Sequence, residues 1–127
     1  TKQFRYAVGR ESLEVVSGMI DEGEEEAAAA RRELREELGI EAGEWTDLGL
    51  VDAVTSQVFC PARIYLARRL TFGETERDAS EEMETIRLPF AEAVEAVMSG
   101  RITHGLSCVL ILKAERHLRS GGAGASR

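Results

Sequence analysis

GMIDEGEEEAAAARRELREELGI, residues 18–40, is the stretch on which the reading of this chain turns. From Glu24 to Leu38 it holds no Pro and no Gly, carries four alanines at 27–30, and is otherwise Glu, Arg and Leu. All of these lose little on entering a helix, so a helix is predicted there. Gly39 follows where a helix commonly ends in a left-handed residue. On that helix Glu33, Glu36 and Glu37 fall at i, i+3 and i+4 and share a face. Like charges so spaced oppose one another by roughly 0.2–0.5 kcal/mol per pair unless something neutralises them. An acidic face interleaved with Arg31, Arg32 and Arg35 is ordinarily just solvated. Carboxylates gathered in this way also suit a hard divalent cation, which takes oxygen ligands and keeps several waters.

Outward from this stretch, composition narrows the choices. The chain has 127 residues, enough for one domain with its own core. It carries 23 Asp and Glu against 16 Lys and Arg, a formal charge of −7. That balance argues against a nucleic-acid partner, which needs a basic face. It also means that a polyanionic phosphate would be repelled unless cations bridge it to the protein. No apolar run approaches the length of a membrane span, and no secretory signal is visible at Thr1, so a cytoplasmic protein without a membrane partner is expected. Cys60 and Cys108 make no metal-binding spacing and are expected as buried free thiols. His104 and His117 have no motif around them. Residues 1–119 read as the domain and 120–127, SGGAGASR, as a flexible tail.

A coarse pass predicts a hairpin from Gln3–Val8 and Leu13–Val16, then the helix of residues 24–38, then strands over Trp45–Val54 and Ala62–Leu70. Met83–Leu88 is a short strand candidate. Pro89 opens a helix over Phe90–Met98, and Gly100 separates it from another over Leu106–Leu118. Strands mixed with three helices predict an α/β fold with a sheet covered on both faces.

The order Gly18, Glu24, Arg32-Glu33-Leu34, Glu36-Glu37, Gly39-Ile40 matches without a gap the pattern G-x5-E-x7-R-E-U-x-E-E-x-G-U, with U aliphatic. The chain is thereby similar to the Nudix hydrolases, which carry this pattern as the Nudix box. That resemblance implies an α/β/α sandwich with a mixed sheet and hydrolysis of a nucleoside diphosphate linked to another moiety. It implies Mg²⁺, with Mn²⁺ as the substitute, held by Glu33 and Glu37, then Glu36, and by the backbone carbonyl of Ser17 or Gly18. It gives Arg32 the architectural role of pairing with and orienting a box carboxylate.

Outside the box, Gln3-Phe4-Arg5 with Leu13-Glu14, and residues 88–93, LPFAEA, resemble the ADP-ribose and ADP-sugar pyrophosphatase branch. The branch implies Arg5 as a phosphate or ribose contact. Glu14 either contacts substrate or faces solvent. A Glu in the loop at 77–84 is implied as base or extra metal ligand; Glu81 aligns first and Glu82 second. The branch's Pro-Gly loop is replaced here by 54–60, VTSQVFC. Its preceding strands, which support a homodimer and supply an adenine-stacking aromatic, are expected to lie outside this sequence. The expected reaction is ADP-ribose to AMP and ribose 5-phosphate. The alternatives are another Nudix substrate (a different nucleotide sugar, an oxidised purine triphosphate, a dinucleoside polyphosphate) and a non-catalytic ligand-binding regulator.

Overall fold

The structure, a computed structural model, describes residues 1–76 and 83–124. Its element order is β1 (Lys2–Arg5), β2 (Arg10–Leu13), α1 (Glu26–Leu38), β3 (Ile40–Asp52), β4 (Pro61–Phe72), α2 (Phe90–Met98) and α3 (Gly105–Gly124). This is the expected mixture of helix and strand. Among the described residues the strands pair as two small sheets, β1 with β2 and β3 with β4. The chain divides into two compact units, Thr1–Thr46 with Ala67–Ile86, and Asp47–Leu66 with Arg87–Arg127.

In the first unit, β1 and β2 run antiparallel with Lys2 opposite Leu13 and Arg5 opposite Arg10. The turn falls on residues 6–9, closed by Gly9 at φ 65°, which moves both strands toward the N-terminus relative to the prediction. Val8 and Gly9 both donate to the Arg5 carbonyl, at 3.2 and 2.9 Å. Met83–Leu88 forms no strand; it contributes a single bridge, Lys2 to Glu84, with backbone bonds of 2.8 and 2.9 Å. Glu25 caps α1 in an extended conformation, and the helix buries Ala29 and Leu34. Gly39 ends it in the left-handed region (φ 65°, ψ 26°), its N–H returning to the Arg35 and Leu34 carbonyls. A side chain at Gly39 would also strike the backbone of Gly73 and Glu74, so two separate demands fix glycine there.

In the second unit α2 packs on α3. Pro89 stands before α2 as predicted, since the missing N–H of a proline costs nothing at a helix start. The core here is Ile64, Ala96, Ile102, Ile111 and Ala114, with Ser107 fully buried. Ser107 is satisfied by His104, whose Nδ1 lies 2.7 Å from its Oγ. Helix α3 runs past the predicted Leu118 to Gly124. Cys60 and Cys108 are both free thiols, but neither is buried as expected: Cys60 is exposed and Cys108 partly covered. Cys60 lies in the loop ahead of Pro61, where the chain has left β3 and not yet entered β4. Among the described residues no helix is long and apolar enough to cross a membrane.

Candidate functional site

Arg32 is the centre of the acidic face of α1. Its Nε donates to Glu24 Oε2 at 2.9 Å and its Nη2 to Glu24 Oε1 at 3.0 Å, a two-toothed fork. Its Nη1 donates to Glu33 Oε1 at 3.0 Å and Glu36 Oε2 at 3.2 Å, one turn apart. Nη2 also donates to the Met19 carbonyl at 3.0 Å and stands 3.5 Å from Asp21 Oδ2. One guanidinium thus binds the loop after Gly18 to three glutamates. The geometry suits Arg and not Lys, because only a planar fork with five N–H donors can serve so many acceptors at once. The carboxylate partners, Glu24 first, push the Arg32 guanidinium further above its already high range.

Glu24 is held below the usual carboxylate range, first by the Arg32 hydrogen bonds and then by the backbone N–H of Asp21, which donates at 3.1 Å. A lowered folded-state value means that Glu24 stabilises the fold above the ordinary carboxylate range and loses that contribution as pH falls below it. Arg32→Lys is therefore expected to lower Tm at neutral pH by about 3–6 °C and to flatten the acid limb of a Tm-against-pH curve. Thermal melts of both proteins between pH 3 and 7 check this. Superimposable curves would show that the fork is idle.

Gly18 lies against the carboxyl end of Glu33: a Cβ built on it would coincide with Glu33 Cδ, Oε1 and Cγ. The backbone of the box's first glycine therefore stands beside the box's first paired carboxylate. Main-chain carbonyls and carboxylates are both oxygen donors of the kind a hard cation uses. The Glu33 side chain is largely covered, at 17% exposure, and that of Glu36 half so, at 37%. Among the described residues no three His, Cys, Asp or Glu converge on one point. Glu33 and Glu36 are instead drawn to Arg32. The donor chemistry, all oxygen with glycine making room, fits a hard divalent cation.

Arg5 and Glu14 form a second pair, with Nε to Oε2 at 3.0 Å and Nη2 to Oε1 at 2.8 Å. Glu14 is buried at 5% exposure, so it does not face solvent. Glu37 adds a weaker attraction that, with Glu14, raises the Arg5 guanidinium above its ordinary value; the Glu14 hydrogen bonds are the larger cause.

The structure thus brings together Gly18 with Glu33, Arg32 with Glu24, Glu33 and Glu36, and Arg5 with Glu14. Ser17 is exposed on the loop, and Glu81 lies outside the described residues. Sequence reasoning missed Asp21 and the Met19 carbonyl, which no spacing rule flags. It missed the Arg5–Glu14 pair too, because that pair depends on the observed register of the hairpin. Arg5 stands opposite Arg10, and strand alternation puts residues 10, 12 and 14 on one face.

Residues 1–105 match the NUDIX domain family. The chain is 36% identical over 115 residues to an ADP-ribose pyrophosphatase of Mycobacterium tuberculosis, covering 87% of this chain and 55% of that protein. It is 36% identical over 92 residues to the ADP compounds hydrolase NudE of Escherichia coli, covering 71% of this chain and 50% of that one. The chain spans about half the length of the curated relatives it matches. A crystal structure of an ADP compounds hydrolase superposes with a TM-score of 0.84 over 95% of this chain and 65% of that one, at 24% identity, which shows the fold.

Proposed function

Since the chain belongs to the Nudix family, we propose that it hydrolyses the pyrophosphate of a nucleoside diphosphate sugar, ADP-ribose first, to AMP and ribose 5-phosphate. The observation that carries the reading is the Gly18 backbone set against the Glu33 carboxyl, with Arg32 holding Glu33 and Glu36. The names of the two relatives, both concerned with ADP compounds, support the branch.

In this reading Glu33, Glu36 and Glu37, with the main-chain carbonyl of Ser17 or Gly18, hold Mg²⁺. When bound, the cation neutralises charge on the pyrophosphate oxygens and favours ionisation of an attacking water. The chain's own groups do the rest. Arg32 fixes the rotamers of the two carboxylates it touches, which is positioning and not proton transfer. Arg5 donates hydrogen bonds to a phosphate or ribose oxygen. A carboxylate takes the proton of the attacking water; by resemblance Glu81 is the candidate. Water oxygen bonds to one phosphorus, the bridging P–O bond breaks, and the bridging oxygen leaves on the second phosphate. The same reading includes a homodimer and a cytoplasmic location.

The test is a panel of ADP-ribose, other nucleotide sugars, dinucleoside polyphosphates and nucleoside triphosphates, assayed with Mg²⁺ or Mn²⁺ and after chelation. ADP-ribose is expected to give the highest kcat/KM, and chelation to abolish turnover. Triphosphates ranking above ADP-ribose would refute the branch assignment, and full turnover in chelator would refute the cation.

A further inference from the structure

A carboxylate with 3% of its side chain exposed is costly to bury unless paired, and Glu14 spends both oxygens on Arg5. Its backbone is anchored as well, the Glu14 N–H donating to the Thr1 carbonyl at 2.8 Å. Arg5, by contrast, keeps 45% of its side chain exposed. The fork uses two of the five N–H donors of a guanidinium. Arg5 also feels Glu37, a residue of the acidic face of α1. Apolar pairs of similar volume often stabilise a fold as well as ion pairs taken out of water do. What the ion pair adds is a fixed orientation of a guanidinium that remains accessible.

We infer that Glu14 is a positioning residue: it holds Arg5 in the geometry that receives a phosphate or ribose oxygen of a nucleoside diphosphate, and does not itself touch the substrate. The inference rests on the hydrolase reading above. Because Glu14 neutralises Arg5, the guanidinium serves as a preset hydrogen-bond donor and adds little net positive charge. Preset contacts of this kind contribute to substrate and transition state alike, so their loss appears in KM.

The experiment is a double-substitution cycle on the full chain, reading kcat and KM for ADP-ribose with Mg²⁺ and, separately, the calorimetric affinity for ADP. Glu14→Gln is expected to raise KM about tenfold with kcat within about twofold, and Arg5→Ala to raise it at least as much. Adding Glu14→Gln to Arg5→Ala is expected to change KM no further, because Glu14 acts only through Arg5. Additive losses, or a fall in kcat at constant KM, overturn the inference. The paired substitution Arg5→Met with Glu14→Leu is the folding control: its Tm is expected to return to wild type while KM stays high. Wild-type KM in that variant would mean that the pair is structural only. If wild-type protein does not hydrolyse ADP-ribose, the function proposed above fails, and the ADP-affinity cycle still decides the role of Glu14. Wild-type protein that does not bind ADP overturns the inference.

Discussion

Glu37→Gln is expected to lower kcat by 10²–10³-fold or more (an order-of-magnitude figure for removing one charge stabiliser in a closed site) while leaving the fold intact. The separation follows from where Glu37 sits. It occupies the acidic face of α1 near the C-terminal end, half-buried, while the buried residues of that helix are Ala29 and Leu34. Gln has nearly the helix propensity of Glu, so the helix itself loses little. Relief of the like charges of Glu33 and Glu36 offsets part of the lost attraction to Arg5. The melt is therefore expected within a few degrees of wild type, with an unchanged circular-dichroism spectrum. A hard cation, in contrast, binds the amide oxygen of Gln far less well than a carboxylate. Steady-state kinetics over a range of Mg²⁺ concentrations decides it. A well-folded Glu37→Gln protein with near-normal turnover would remove Glu37 from the catalytic centre.

Gly18→Ala is the second large effect, and its cause is steric. Gly18 is not among the residues with positive φ, so an alanine there is not conformationally strained. The added methyl would share space with the Glu33 carboxyl. Either the loop from 17 to 23 moves away from α1 or Glu33 leaves its bond to Arg32 Nη1. A displacement on the order of 1 Å in a catalytic group costs about 10²-fold in rate, and this is the loss expected in kcat/KM. The matched control is Gly105→Ala at the start of α3, where a Cβ meets nothing within 4 Å and no positive φ is needed. That variant is expected to be kinetically silent. Equal kinetics for the two variants would mean that Gly18 and Glu33 do not meet during turnover.

The parts of the fold that the sequence announced are those set by local chemistry. Helix α2 appears over Phe90–Met98, the predicted span, because Pro89 and Gly100 punctuate it. Helix α1 was equally legible from its alanines and from Gly39. The prediction began β3 at Trp45, whereas the strand starts at Ile40. The added residues include Gly43, and glycine ordinarily weakens a strand. Here it makes room: a Cβ on it would lie 3.3 Å from the Cβ of Arg69 on β4. Such a close approach between strands is decided by packing, which single-residue propensities do not carry. The site divides in the same way. The link of Arg32 to Glu36 follows from their i,i+4 spacing and opposite charge, whereas its fork to Glu24, which precedes the helix, does not. Its bonds to Met19 and Asp21 depend on how a seven-residue loop, 17–23, folds back, and nothing local to those residues announces it.

The many-sided grip of Arg32 has a consequence for how the protein comes to be folded. Carboxylates packed on one helix face ordinarily resist being brought together, and small metal-binding domains overcome this by waiting for their ion before folding. This chain carries its own counter-ion. Arg32 lies one position before Glu33 and one turn before Glu36, so an opposing charge arrives with the helix itself. A divalent cation entering at Glu33 and Glu36 would meet carboxylates already oriented by a guanidinium and would stand beside it. Its binding would then change the charge of the site and not its shape, and supply of the ion would govern the rate of chemistry without governing whether the protein survives.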